Sequence, residues 1–577
     1  MKYNQFKKNL VKEYKNTVNP KKQKQKRDFR FLLRPRFIIS FAVMLLVVFL
    51  LIEHLCVYVG NKNIDNYDKN FCTTKEMVMI NNEAELNKSV SLNARKSKST
   101  SILSSLFSIN FIGCGSNLKG DSMPPLDNSS GSMIEESTNN SFNTNVQVEG
   151  IDEADYAKCD GNYIYVKNRT GMYIFNLEGD MVASKTMSGD CFYLYNDKIV
   201  VLGHNHVSIY KFDGTNMEEL KGFLCDEITN SRLIDNNLYL VLANNLIKSE
   251  IVYENLYYDG CAVTQTMFSL YKINLDDMTT NTVKLVSGAK AQVYASLNHI
   301  YIAASDSVNT SISFFDYELN PIGVFNVNGN VLNQFSMDEY NGYFRVATTY
   351  RKSSVTQNIL SIFNIEKMEL AGKIDEGIGL ERHTIKSVRF DKNSCNIVTY
   401  ASRDPLYEID CSDPYNPVIV SNYQAPGYSQ YLHTFTINEE EYVLGFGFLD
   451  DLYTEKISIY KKFDDKTTQI GADFVIGNIK NVDYQIDNYN PIRKDDLTSH
   501  HNYFVYNDGE KLYFGLQIGY DLYTIFEIDV TKEIEVVTVY KEYQTNYLPS
   551  FRSRLFLVNN KIYITQDGYE LIIDEFK

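Results

Sequence analysis

GNYIYVKNRTGMYIFNLEG, residues 161–179, decides the reading of the fold. A Gly161-Asn162 turn leads into a strand in which tyrosines alternate with Ile164 and Val166. A second turn at Asn168 to Gly171 leads into Met172–Asn176, and Glu178-Gly179 closes the phrase. Alternation with a period of two over five to seven residues specifies strands with a buried face. The phrase recurs outward from here. KIVVLG at 198–203 precedes VSIYKFDG at 207–214, and LYLVLAN at 238–244 precedes FSLYKINLDD at 268–277. Further pairs begin at His299 and Ile312, Tyr343 and Ile359, Asn396 and Leu406, Tyr442 and Ile457, Lys511 and Leu522, and Lys561 and Tyr569. Nine units over residues 146–577 average about 48 residues each, the repeat length of propeller blades. A single blade cannot cover both of its own faces, but radial stacking and ring closure can.

The expected fold is therefore all-β. It is a single β-propeller of eight or nine blades, with seven possible if two units are irregular. The last unit ends at Lys577 without a clear outer strand, and residues 146–158 precede the first complete pair. The reading expects the chain start to supply a strand to the last blade. Two stacked sandwiches would need a break in the middle of the domain, and none is visible. The chain has 43 Tyr and 33 Phe but no Trp, which excludes repeat families whose blades depend on an obligatory Trp.

Charge divides the chain. Residues 1–36 carry thirteen Lys/Arg against Glu13 and Asp28, leaving 44 basic and 70 acidic residues elsewhere, a balance of −26. An acidic body is unsuited to nucleic acid, which needs clustered cations. FIISFAVMLLVVFLLI at 37–52 is apolar and uncharged, and Leu55 to Val59 continues past Glu53 and His54. The sixteen residues span about 24 Å as a helix, and the extension to Val59 reaches the length of a hydrocarbon core. The positive-inside bias places residues 1–36 in the cytoplasm and the remainder outside. Residues 37–59 thus read as an uncleaved signal anchor in the cell membrane. The long basic head and the lack of a small-x-small site argue against a cleaved signal peptide. A lipoprotein signal fails because Cys56 follows His-Leu and Cys114 lies too far along.

Residues 60–145 are rich in Ser and Asn and sparse in apolar patterning, the composition of a tether. A random coil of that length spans about 50 Å. The expected organisation is a basic cytoplasmic segment (1–36), a transmembrane anchor (37–59), a tether (60–145) and a propeller (146–577). Nine Cys are scattered without a CxxC pair, so neither structural zinc nor a disulfide framework is indicated.

Several stretches resemble one known family. NVQVEGIDEADYAKCDG at 145–161 resembles the opening signature of secreted bacterial and archaeal propellers that carry this domain at the C-terminus. Glu381-Arg382 with Ser387 to Phe390, DPLYEIDCSDPYNP at 404–417 and PGYSQYLH at 426–433 resemble further segments of that family. So do His500-His501 and RSRLFLVNNKIYITQDG at 552–568. Ser499 stands where the family has Asp before the paired histidines, and Thr434 where it has Pro. The resemblance implies the fold, export and membrane attachment, and brings no catalytic activity with it.

Candidate sites follow from residue types. Glu149, Asp152, Glu153 and Asp155 could gather a divalent cation through carboxylate oxygens, although EF-hand spacing is absent; alternatively they cap turns. His500 and His501 are metal candidates too, but neighbours on a regular strand point to opposite faces and could not share one ion. His204 and His206 lie on one face at a turn, with no third ligand in sequence. Gly377-x-Gly379 and Gly445-x-Gly447 lack phosphate-loop context, and no nucleotide, kinase or hydrolase motif is present. The resulting expectation is a non-enzymatic module that binds or scaffolds an extracellular protein, a glycan or an envelope partner. No cofactor is indicated beyond a possible divalent cation. The alternative is an extracellular hydrolase or lyase with an acid–histidine site in the channel.

Overall fold

The computed structural model describes residues 73–89 and residues 144–577, the latter with interruptions at 247–250, 262–265, 307, 353–354, 381, 401–403, 451–453, 464–465, 477–499, 519–520, 546–552 and 567. The described chain is all-β. It forms nine sheets in succession, over residues 157–186, 191–224, 227–287, 290–328, 330–374, 384–425, 428–475, 504–544 and 555–575, antiparallel except where Leu256–Tyr258 pairs in parallel with Thr280–Ser287 in the third. Each sheet is a meander in which successive strands pair with their neighbours. Eight have four such strands and the ninth has three; in the fifth, two short strands share the first position.

The nine strand pairs read from the sequence are the second and third strands of the nine sheets. The first and fourth strands were harder to read. Some first strands are short, as in Ala157–Cys159 and Phe504–Asn507. Some fourth strands are solvated, as in Met217–Leu224, where five consecutive residues are exposed, whereas Pro321–Asn328 is buried over most of its length. A register shift recurs where third and fourth strands pair, for example between Ile174 and Phe175, Phe314 and Phe315, and Ile525 and Phe526. Such bulges increase local twist and turn the outer strand away from the next sheet.

The core is a series of apolar layers between consecutive sheets. In Tyr163–Lys167 the alternation is used on both faces. Tyr165 packs with Phe192 and Val201 of the second sheet, while Ile164 and Val166 pack with Phe556, Val558 and Tyr563 of the ninth. Leu512, Phe514 and Leu516 likewise face the seventh sheet, and Tyr513 faces the ninth. Other layers join the second sheet to the third, the third to the fourth, the fourth to the fifth, the fifth to the sixth and the sixth to the seventh. The layer between the ninth and first sheets brings the succession back to its start.

Two expectations are revised. The chain start does not complete the last sheet. Ile151–Asp152 pairs instead with Leu233 and Ile234 on the first strand of the third sheet, and Ala157–Cys159 is the first strand of the first sheet. The seam between the last and first sheets is held by side chains. The Tyr563 hydroxyl donates to the Leu177 carbonyl, and Tyr173 lies edge-on to Tyr569 with ring centroids 4.9 Å apart. Part of the stretch read as a tether is also structured. Thr73–Lys75 extends the outer edge of the fourth sheet, and Val78–Met79 pairs with Leu256–Tyr258 of the third. Ile80 and Leu86 then bury against Leu256, Met267 and Val286 of the third sheet, covering apolar groups there. Residues 37–59 and the short run 102–112 lie outside the described residues. Among the described residues no helix is long and apolar enough to cross a membrane.

Candidate functional site

Residues 144–160, the opening of the recognisable signature, cross from sheet to sheet before joining the first. The Asn145 amide donates to the Tyr431 hydroxyl at 3.4 Å and to the His500 carbonyl at 3.1 Å. Gln147 donates to the carbonyls of Gln334 and Met337 in the fifth sheet. Gly150, at a φ of +84°, turns the chain into the pairing with the third sheet. Asp155 then bridges to Phe192 of the second. One extended segment thereby reaches the first strands of sheets whose sequences lie hundreds of residues apart.

Its acidic residues behave differently from one another. Glu149 is exposed. Asp152 accepts from the Lys158 ammonium at 2.6 Å, and Lys158 also donates to Thr144 at 2.8 Å. Asp155 is buried and held by both arms of the Arg554 guanidinium, at 3.0 and 3.1 Å. Arg554 also donates to the Tyr156 hydroxyl and to the Asn502 side-chain oxygen. Burial works to raise the Asp155 carboxyl, but Arg554, aided by His501, overrides it and holds it below the usual carboxylate range.

Glu153 is the centre of the group. Its Oε2 lies 3.0 Å from His500 Nε2 and 3.2 Å from His501 Nε2. Its Oε1 lies 3.5 Å from Arg232 Nη2 and accepts from Gln334 Nε2 at 3.2 Å. Arg232 in turn donates to the Gln334 Oε1 at 2.5 Å, which fixes the orientation of that amide. Burial again works to raise the carboxyl, and Arg232 with His500 holds it well below its usual range. The strand argument against shared ligation by the two histidines does not apply. His500–Asn502 is a turn of 3-10 helix, and the regular strand begins only at Phe504. Successive residues of a 3-10 turn are rotated by about a third of a circle, so adjacent side chains can reach one point.

The remaining candidates stay apart. His206 Nε2 contacts the Ser188 hydroxyl at 2.9 Å, and His204 is exposed. Among the described residues, Glu153, His500 and His501 are the group of three or more metal-capable side chains whose ligand atoms converge, lying within 4.8 Å of one another. Thr434 is buried in the first strand of the seventh sheet, opposite Val443; Ser499 lies outside the described residues.

Beside this group is a cavity of about 560 Å³. His501, Asp155, Arg554 and Tyr523 line its wall, and exposed Glu149, Asp160 and Asp235 stand with Asn145, Tyr195 and Asn507 around it. His433 also lines it. Burial, reinforced by Arg389, pushes the His433 imidazole down to about 3. The sequence reading missed Arg232, Gln334 and Arg554. A cation inside an otherwise strand-like run, as in Ser231-Arg232-Leu233 and Arg554-Leu555-Phe556, was the available signal for two of them.

A family model for the beta propeller domain matches residues 142–569. An uncharacterized protein of Methanocaldococcus jannaschii is 26% identical over 539 residues, a match covering 75% of this chain and 81% of that protein. An uncharacterized protein of Archaeoglobus fulgidus is 43% identical over 144 residues, covering 25% of this chain and 22% of its own length. Among solved structures, one described as the eukaryotic initiation factor is similar at 10% identity and a TM-score of 0.41, over 72% of this chain and 96% of that one.

Proposed function

The chain belongs to the beta propeller domain family, and from that premise we propose that it is a membrane-anchored, extracytoplasmic module that binds a cationic polypeptide. In this reading the nine sheets are the blades of one nine-bladed ring. The layer of Phe556, Val558 and Tyr563 against Ile164 and Val166 supports that count, since it links the ninth sheet to the first. The membrane location rests on the basic head and on the apolar run at 37–59.

One observation carries the binding role. The carboxylates Asp152, Glu153 and Asp155 are engaged by Lys158, Arg232 and Arg554, whereas Glu149 and Asp235 remain exposed around a cavity large enough for side chains of a partner. An acidic rim over a water-accessible recess suits lysine or arginine side chains, and the charge balance of −26 outside the head would steer them there. The hydrolase reading draws on the convergence of Glu153 with two histidines, but a carboxylate bound to a guanidinium is a poor base.

A photo-crosslinking residue placed at Tyr195 or Asn507 in the full chain, on intact cells, tests the proposal. The expected outcome is a discrete polypeptide adduct that disappears when Glu149 and Asp235 are both replaced by Lys. Adducts that survive the charge reversal, or label the medium without preference, would sink it.

A further inference from the structure

We propose that Glu153, His500 and His501 form a binding site for one divalent transition metal ion of the zinc type. The inference is independent of the binding role. It starts from distances. Two ligand atoms bound at about 2.0–2.1 Å in tetrahedral geometry lie about 3.3 Å from one another. Glu153 Oε2 is 3.0 Å from one imidazole Nε2 and 3.2 Å from the other, each within a few tenths of an ångström of that spacing, and the three ligand atoms all lie within 4.8 Å of one another. All three donors are side chains that zinc favours, and two imidazoles with one carboxylate make a set that leaves a further position open.

The surroundings fit a ligand set held in advance. The Glu153 carboxylate is oriented by its other oxygen, through Gln334 and Arg232, so that Oε2 faces the histidines. Such outer partners position ligating groups in metal sites. Phe335 lies edge-on to His500 with centroids 5.1 Å apart, and the two imidazole rings are 3.9 Å apart, which restricts both rings. His501 lines the 560 Å³ cavity, so the open position has a route to solvent.

Charge sets a condition on the site. Glu153 and Asp155 already face Arg232 and Arg554, so a dication adds positive charge to a neutral, buried group. That excess is offset if the open position takes an anionic ligand such as hydroxide from the cavity. The bland alternative is that both imidazoles donate an Nε2–H to one carboxylate oxygen, which gives the same distances without an ion.

The full chain, purified, stripped with chelator and checked by circular dichroism, is titrated with zinc(II) against a chromophoric chelator and with cobalt(II) followed by its visible absorption. The expected result is one equivalent of metal and a cobalt spectrum of four- or five-coordinate intensity. His501→Ala and Glu153→Gln should each weaken binding at least tenfold, and Gln334→Leu about tenfold, as expected for an orienting partner. His206→Ala should bind as the parent does. Binding below a tenth of an equivalent, or a folded His501→Ala that binds as tightly as the parent, would overturn the site. So would imidazole nitrogen resonances that keep both Nε2 protons when zinc is added.

Discussion

The layers between sheets and the middle of the molecule are built on opposite principles. In the layer between the fourth and fifth sheets, Tyr301, Phe314, Phe325, Phe344 and Phe363 stack with neighbouring centroids 4.4 to 5.4 Å apart, and all are buried apolar or amphipathic rings. In the middle, Asp155, Glu153, Arg232, Arg554 and His500 are just as buried, and they are charged or titratable. An apolar layer tolerates any partner of suitable volume, so the same short phrase can be repeated nine times. A buried charge requires one particular partner in one geometry. The repeats therefore provide the walls, and single non-repeating residues decide how the walls meet.

This contrast can be broken in measurable ways. The largest effect is expected from Arg554→Ala, which leaves Asp155 buried without its cation and removes a donor from Tyr156 and Asn502. A loss of about 4–5 kcal/mol in denaturant-induced unfolding is expected. The paired replacement Asp155→Leu with Arg554→Met should lose much less than Arg554→Ala alone. If it loses as much, charge pairing is not what distinguishes the middle. Phe325→Ala, in the wall, should cost about 3 kcal/mol through a cavity between two sheets, whatever the pH.

Acid separates the two regions further. His433 is held near a pKa of about 3, below the ordinary imidazole value, so the unfolded chain binds its proton first. Stability then rises with pH from about 3 to about 6.5, and acidification from pH 7 to pH 4 should cost roughly 3 kcal/mol through this residue. Glu153 and Asp155 act in the same direction at lower pH. Their folded values are depressed, so their contribution is present above the usual carboxylate range and is lost as pH falls below it. Unfolding curves of His433→Asn between pH 3 and 7 should be flatter than those of the parent, whereas Phe325→Ala should run parallel to it. The smallest effect belongs to the surface. Lys461 bonds Glu440 at 2.6 Å with half of the glutamate side chain in solvent, and Lys461→Ala should change stability by less than about 0.5 kcal/mol.

Docking of residues 73–89 on the third and fourth sheets lay beyond sequence reading for a related reason. TTK and VM are too short to announce a strand, and TTK is polar as well. They become strands because an edge elsewhere offers unpaired backbone groups. The paired histidines show the same limit. Sequence similarity suggested a strand, on which they would diverge; a 3-10 turn before Phe504 makes them converge.

What the chain determines locally is the strand grammar. Alternation in Tyr163–Lys167 and its eight counterparts follows from side chains pointing to opposite faces at every step, a property of a few adjacent residues. The apolar run at 37–52 and the charge step beside it are local in the same sense. The tertiary structure alone decides that Asp155 meets Arg554 399 positions away, that Glu153 meets His500 and His501, and that the first and last sheets join by side chains without an exchanged strand. The physical reason is that the partner of a buried charge is selected by proximity after folding, and nothing in the spacing of the residues along the chain encodes it.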